Sequence, residues 1–365
     1  MKKIALIGVT GYGRTHLNHL TALADEGVLE LAAAVVIFPD QAKDELEILK
    51  KFRTKIYVSA DDMFAAERGR IDLVCIPAGI GAHRKLTIQA LQAGMNVLVE
   101  KPAAASTAAV QEMIAAQKDG LFAAVGFQHC YSPEIRFLKQ MLVLQCLGKI
   151  RRSFAVGIQA RNDIYYSRNS WAGRRAAADG EPILDSPANN AFAHYLNLLL
   201  YLNGETDFQT AHALSVRGKV LRARSDIEMF DACHVVFTLS NRTEAEIRFA
   251  HCTDQEEGPD FRIECENGVI EWHCNGEWKI CGTQNAVIAS GETTNPSSDM
   301  FRQVLMKLDH PELPVYTLQN ALEHTNCIEM LDRTCPIRPV GAVKKNGVFC
   351  FPGLMKWFEE PLGRA

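Results

Sequence analysis

Several stretches of this 365-residue chain carry residue types at spacings that could do chemistry. The first is GVTGYGRTH, Gly8 to His16, which approaches G-x-G-x-x-G, the turn whose backbone N–H groups and following helix N-terminus cradle a diphosphate. Gly8, Gly11 and Gly13 are present, Thr10 stands in the middle glycine's place, and Tyr12 and Arg14 flank the last glycine. The second is Glu100-Lys101-Pro102. Proline pushes the residue before it into extended backbone, so Lys101 leaves a strand end over the sheet edge instead of opening a helix. The third is GEPILDSPANNAFAH, with Asp185, Asn189, Asn190 and His194. Just ahead of it, ARNDIYYSRNSWAG supplies Arg161, Asp163, Tyr165, Arg168 and Trp171. Aromatic rings stack on the apolar face of a sugar while polar side chains bond its hydroxyls, so this composition suits a carbohydrate or an ordinary exposed loop.

These residues need a frame to position them. Over the first 125 residues, apolar strand-like runs (KKIALIGV, LELAAAVVI, IDLVCIP, MNVLVE, FAAVGF) alternate with helix-like ones, which predicts a parallel sheet buried on both faces. In such a sheet ligands bind beyond the carboxyl ends of the strands. Three strand ends therefore gain weight: Gly8 to Gly13, Pro77 to His83, and Glu100 to Pro102. A helix opens with Ser132 as N-cap and Pro133 in its first turn. From about residue 150 the pattern becomes antiparallel, and Asn267-Gly268, Asn275-Gly276 and Asn346-Gly347 predict type I′ hairpin turns. Helices are expected over 186–204 and around 318–334. The fold class is α/β: a doubly wound Rossmann domain over 1–127, then an α+β domain over 128–365 with a largely antiparallel open sheet. If the helix starts at Ser186 or Pro187, Asn190, His194, Asn197 and Tyr201 form one polar stripe, either a pocket wall or a buried or interface seam. Asp185 is then either a site carboxylate or that helix's N-cap.

The net charge of −4 comes without a long run of one sign, which argues against nucleic-acid and membrane-surface partners. No window has the length of a membrane-spanning helix, and a cytoplasmic protein acting on a small molecule is expected. Eleven cysteines with no C-x-x-C fit reduced thiols. Four adjoin a histidine (His129-Cys130, Cys233-His234, His251-Cys252, His273-Cys274), but neighbours on a strand point to opposite faces. We therefore expect no metal, with Cys packed inward and His facing out or bonded locally. A sheet with helices on one face leaves the other to be covered, so a homodimer or homotetramer is expected.

The glycine turn followed by Arg and His, IDLVCIPAGIGAH and ALQAGMNVLVEKP resemble the glucose-fructose oxidoreductase / inositol dehydrogenase (Gfo/Idh/MocA) family. GFQHCYSPEI, LGKIRR, the Trp171 region and GEPILDSPANNAFAH fall where that family's substrate domain begins and builds its pocket, so the likeness covers the whole chain. The resemblance implies an NAD- or NADP-dependent oxidoreductase acting on a secondary hydroxyl or carbonyl of a sugar, cyclitol or related polyol, with Lys101 between nicotinamide and substrate. The family pairs that lysine with an Asp and, four residues on, a His. Asp185 matches the Asp, but Asn189 stands where the His would be, and an amide cannot take a proton at neutral pH. The candidate catalytic set is therefore Lys101, Asp185 and His194. Dinucleotide contacts are expected from Gly8, Thr10, Gly11, Tyr12, Gly13 and Arg14, and from Pro77, His83, Glu100 and Lys101. Substrate contacts are expected from Arg161, Tyr165, Trp171, Asn189, Asn190 and His194. At the end of the second strand, where NAD binders place an acid for the ribose, stand Val36 and Ile37, with Asp40 beyond and Arg14 able to meet a phosphate. NAD and NADP both stay open. So do two other readings: a dehydrogenase-like binding or regulatory protein without turnover, and redox-assisted elimination at a glycoside.

Overall fold

The computed structural model describes residues 1–362. Its internal packing forms two units: Met1–Tyr131 with Ser297–Leu322, and Ser132–Pro296 with Glu323 onward. The sequence reading places the division after Phe127 and assigns all later residues to the second domain. The structure instead packs residues 128–131 and 297–322 with the first unit.

The first unit begins β1 (Lys2–Ile7), α1 (Tyr12–Asp25), β2 (Leu29–Val35), α2 (Lys43–Lys51), β3 (Lys55–Tyr57) and α3 (Ala60–Ala66). It continues β4 (Leu73–Ile76), α4 (Ile80–Gln92), β5 (Asn96–Val99), α5 (Thr107–Ala115) and β6 (Ala123–Val125). The strands lie in the order β3-β2-β1-β4-β5-β6, all parallel. Ile4 to Leu6 and Leu73 to Ile76 are buried, as strands covered on both faces must be. The order reverses between β1 and β4, so the ligand crevice of such a sheet opens at their carboxyl ends. The β6 edge is closed by returning chain: the Val125 N–H donates to Tyr316 O at 2.8 Å, and Ala124 bridges Thr317.

Next come α6 (Pro133–Val143), β7 (Ile150–Ile158), α7 (Asp163–Ser167), α8 (Ala193–Leu202), β8 (Ala213–Arg222), β9 (Ala232–Leu239) and β10 (Glu244–Ala250). They are followed by β11 (Glu257–Cys265), β12 (Gly268–Trp272), β13 (Glu277–Gly282) and β14 (Val287–Glu292). The chain ends with α9 (Pro296–Lys307), α10 (Leu318–Thr334), β15 (Ile337–Pro339), β16 (Val343–Lys345), β17 (Val348–Cys350) and α11 (Leu354–Glu359). The large sheet of the second unit runs β14-β13-β12-β11-β7-β10-β9-β8-β15 and is antiparallel except at β7–β10 and β8–β15. Helix α8 lies against β7, β10 and β11. Leu354, Trp357 and Phe358 of α11 join Val156, Ile158 and Leu221 in a second apolar cluster. Ser132 caps α6 as expected, its Oγ accepting from the Ile135 N–H.

Three local expectations change. Of the Asn-Gly pairs, only Asn346-Gly347 has both residues at positive φ (49° and 78°), the type I′ requirement. At Asn275-Gly276 the glycine alone is positive, and at Asn267-Gly268 neither is, because the N–H groups of Glu266 and Asn267 are engaged by the carbonyls of Lys149 and Leu147. Helix α8 starts at Ala193, not at Ser186 or Pro187. Residues 186–192 form turns, and the Phe192 ring fills the space left by Gly157, where a Cβ would lie 2.7 Å from it. Of the His-Cys pairs, expected to pack Cys inward with His facing out or bonded locally, Cys274 departs by lying exposed, while two histidines are bonded but buried. His234 is buried beside Cys233 and bonded to Glu246, and His251 is buried beside Cys252. Both faces of this sheet are covered at those points.

Candidate functional site

The glycine turn closes β1 and opens α1. Gly8 sits at φ +93°, and its N–H donates to Val35 O at 3.1 Å. The conformation that needs a missing side chain falls on Gly11 (φ 58°, ψ −126°), while Thr10 keeps ordinary backbone and lies exposed. The Gly13 N–H donates to Thr10 O at 3.0 Å, closing the turn around Gly11. Gly13 is required for a different reason: a Cβ there would lie 2.4 Å from Gly8 O, so only glycine lets α1 pack against the end of β1. The neighbouring glycine thus takes over the turn that Thr10 could not make. No side chain caps the N-terminus of α1, although the Gly13 and Arg14 N–H groups already donate to Thr10 O and Gly11 O, and the positive end of the helix dipole faces the turn.

The two other strand ends are tied together. His83 is fully buried, its Nδ1 2.8 Å from Pro102 O and its Nε2 2.9 Å from Ala78 O, so it links the turn after β5 to the turn after β4. Burial pulls its pKa below the usual histidine value against the opposing pull of those carbonyls. Pro77 is buried beside it. Glu100 is also buried, at 4% exposure. Its Oε1 lies 2.9 Å from His16 Nε2, and its Oε2 accepts from the Lys101 N–H at 3.1 Å. Gly126 makes room for this carboxylate, since a Cβ there would be 2.7 Å from Oε1. Glu100 and His83 therefore shape the backbone around half-buried Lys101. His16, its ring 4.9 Å from that of Phe301, is a residue that sequence reading passed over. It stands in the quoted glycine stretch, but its partner is 84 positions away.

Beyond β2, Val36 is buried at 3% and donates its N–H to Tyr57 O, whereas Ile37 is 62% exposed. The open position at this strand end is therefore Ile37. Arg14 is paired with Glu45 at 2.8 Å and bonded to Asn18, while Asp40 lies exposed in a short 3₁₀ turn. Tyr12 is 47% exposed, its hydroxyl 3.4 Å from Gln128 Oε1.

In the second unit, Asp185 is buried and held from both sides. Its Oδ2 accepts from the Gly173 N–H at 2.6 Å and its Oδ1 from Asn190 Nδ2 at 2.7 Å. Asn190 also reaches the Tyr165 hydroxyl at 3.5 Å. The Arg161 and Arg168 guanidiniums lie 4.7 Å and 3.6 Å from the Tyr165 ring centre, and Arg168 is 5.4 Å from the Trp171 ring. The expected substrate residues Arg161, Tyr165, Trp171 and Asn190 thus form one group with Asp185. Asn189 points elsewhere: it is fully buried and donates to Ile183 O and Leu184 O. His194 is half-buried in the first turn of α8. Asn197 is fully buried and the Tyr201 hydroxyl donates to Asp207 O, so this part of the stripe lies inside the unit. His251, not anticipated from sequence, packs its ring 5.8 Å from that of Tyr165.

Among the described residues no His, Cys, Asp and Glu side chains gather in a way that could hold a metal ion, and no helix is long and apolar enough to cross a membrane.

Comparison with known proteins agrees with this frame. Residues 2–127 match the Gfo/Idh/MocA family, described as an oxidoreductase family with an NAD-binding Rossmann fold. The chain is 28% identical over 139 residues to UDP-N-acetylglucosamine 3-dehydrogenase of Acidithiobacillus ferrooxidans, covering 38% of this chain and 41% of the relative. It is 32% identical over 126 residues to trans-1,2-dihydrobenzene-1,2-diol dehydrogenase of Xenopus tropicalis, covering 32% and 38%. The matched region thus spans about two-fifths of these curated relatives. Among solved structures, the WlbA dehydrogenase of Bordetella pertussis, in complex with NADH and UDP-GlcNAcA, superposes with a TM-score of 0.73 at 18% identity over 91% of this chain and 96% of that one. A levoglucosan dehydrogenase with NADH and levoglucosan gives 0.74 at 12% identity over 91% and 96%. The fold extends over nearly the whole chain, and residues 2–127 match the NAD-binding Rossmann domain of the Gfo/Idh/MocA oxidoreductase family.

Proposed function

We propose that the protein is an NAD(P)-dependent oxidoreductase that moves a hydride to or from a secondary hydroxyl or carbonyl of a sugar, cyclitol or related polyol. The observation that carries this reading is the glycine turn at the sheet's switch point. Gly11 holds a backbone that only glycine adopts readily, and Gly13 leaves space that a Cβ would fill, so the residues present fit a diphosphate at the start of α1. A bound nicotinamide dinucleotide would accept or donate the hydride. Gly8, Gly11 and Gly13 would let its diphosphate approach the backbone of the turn closely, with Tyr12 at the mouth of the turn. Lys101 Nζ would take the hydroxyl proton during oxidation and return it during reduction, on a backbone fixed by Glu100 and His83.

In the second unit, Asp185 and Asn190 would orient substrate hydroxyls, with Tyr165 and Trp171 offering ring faces. Asn189, turned toward carbonyls of its own loop, is not assigned a proton, and His194 is the imidazole proposed to titrate during turnover. The relatives' names place them on sugar nucleotides and a cyclic diol, which suits this substrate class. We further propose a cytoplasmic homo-oligomer. A non-catalytic binding role is the second reading, and the observation that favours it is apolar Val36 and Ile37 where a ribose-binding acid is usual.

Calorimetric titration with NAD and NADP, followed by turnover assays of Lys101→Met, tests the first reading. We expect binding of at least one dinucleotide and loss of more than tenfold in kcat/KM with an unchanged fold. No binding at millimolar concentration would remove the oxidoreductase reading. Binding with undiminished turnover in Lys101→Met would remove the role of Lys101.

A further inference from the structure

Within the second unit, Arg161 and Arg168 stand out by what they lack. Residues 160–175 contain Arg161, Arg168, Arg174 and Arg175 against a single acid, Asp163. Arg174 pairs with Glu228, Arg175 with Asp332, and nearby Arg224 takes Asp163 and Asp226. Arg161 and Arg168 have no carboxylate partner among the described residues. Arg161 donates from Nη2 to Gln159 Oε1 at 2.7 Å, and its buried Nε has no hydrogen-bond partner. Arg168 donates from Nη1 to its neighbour's carbonyl, Tyr165 O, and is exposed. Both guanidiniums lie close to the face of one ring, that of Tyr165. Two like charges held against one side chain repel each other, and an anion between or beside them relieves the repulsion.

His251 supplies a second kind of contact. It is 3% exposed, its Nδ1 is 2.9 Å from Gln159 O, and its Nε2 is buried without a partner. A carbonyl accepts, so Nδ1 carries the hydrogen, and on a neutral ring Nε2 then presents a lone pair. Burial holds the ring neutral, pushing its pKa down to about 3 with the help of the two arginine charges. The cluster therefore offers forked donors for anionic oxygens and one acceptor for a hydroxyl.

We propose that Arg161, Arg168 and His251 bind the anionic end of a polyhydroxylated substrate, a carboxylate or phosphate ester whose neighbouring hydroxyl donates to His251 Nε2. This rests on the second unit being the substrate unit of the proposed oxidoreductase, and it narrows the substrate class from neutral polyols to acidic ones. A neutral sugar would leave the two guanidiniums uncompensated.

The test titrates the full chain with glycerol, glycerate and glycerol 3-phosphate, the smallest polyol without and with each anion. At least one anion is expected to bind tenfold or more tightly than glycerol, with that preference reduced by about tenfold to a hundredfold in Arg161→Met and in Arg168→Met. Preference for glycerate assigns a carboxylate, and preference for glycerol 3-phosphate assigns a phosphate ester. Equal binding of all three, or a preference that survives both substitutions, overturns the proposal. Arg161→Lys and Arg168→Lys, which keep charge but lose the fork, should retain an intermediate preference and guard against misfolding as the cause of loss. Titration of the same samples with NAD and NADP separates the two claims. If neither dinucleotide binds while the anion preference persists, the oxidoreductase reading falls, and the three residues stand as an anion-binding site whose ligand is not an oxidoreductase substrate. If a dinucleotide binds and the three fragments bind alike, only this one falls.

Discussion

Gly13→Ala probes the dinucleotide reading through the addition of one carbon atom. That atom would lie 2.4 Å from Gly8 O and 2.8 Å from Gly8 C, both backbone, so no rotamer change relieves the clash. Helix α1 must retreat from the end of β1 by about 1 Å to recover ordinary contact. Overpacking of this kind costs roughly 1–3 kcal/mol, which in a unit of this size lowers Tm by roughly 2–12 °C. The same retreat carries the first N–H groups of α1 away from a diphosphate. Losing one charge-assisted hydrogen bond, about 1.5–3 kcal/mol, weakens dinucleotide binding by about tenfold to a hundredfold. Differential scanning calorimetry reads the first effect and isothermal titration with NAD and NADP the second. A variant that melts within about 1 °C of the unaltered protein would refute the packing argument. A lowered Tm with unchanged affinity would place the dinucleotide somewhere other than this turn.

Three further outcomes are expected. Lys139→Met should lower stability by about 3 kcal/mol in chemical denaturation, because the buried ammonium donates to the carbonyls of Tyr201, Gly204 and Gln209, which the variant leaves unsatisfied; a loss under about 1 kcal/mol would refute this. Glu246→Gln should flatten the acid limb of the stability curve. Burial pushes this carboxyl up, but the His234 and Arg152 hydrogen bonds and the arginine charges outweigh it and hold the pKa at about 2 against 4.5 unfolded. A lowered acid gives stability that is complete above pH 4.5 and lost as pH falls toward 2, here about 3 kcal/mol, and an identical acid limb in the variant would contradict the assignment. Finally, Ile37→Asp should fold normally and favour NAD over NADP, whereas Val36→Asp should lower Tm by burying a carboxylate; the reverse pattern in melting and titration would show that the exposed position had been misjudged.

Much of the first unit was legible because parallel strands announce themselves as unbroken apolar runs and their ends follow directly. Gly8, Pro77 and Glu100 could each be assigned to a strand end from sequence alone. The capping of α6 was legible too, since Ser132 and Pro133 act within one turn. What escaped depends on partners distant in sequence. His16 acquires its role from Glu100, and His251 from Tyr165 and Gln159, and no local spacing signals either. The late start of α8 has the same origin. Phe192 is drawn against Gly157 of β7, and the preceding turns yield to that packing over helical propensity. Thr10 departs from the fingerprint when that is read position by position. The backbone instead moved the glycine-only conformation one residue along, to Gly11.

The chain that closes the β6 edge has a consequence for how the protein is made. Tyr316 and Thr317, which pair with Val125 and Ala124, leave the ribosome long after residue 131. At typical rates of synthesis, roughly 5–20 residues per second, the first unit waits on the order of 10–40 s with that strand edge open. An open parallel edge is a template for other nascent chains. Translation speed between residues 131 and 322, and the holdase chaperones available meanwhile, should therefore govern the soluble yield of this protein more strongly than its final stability does.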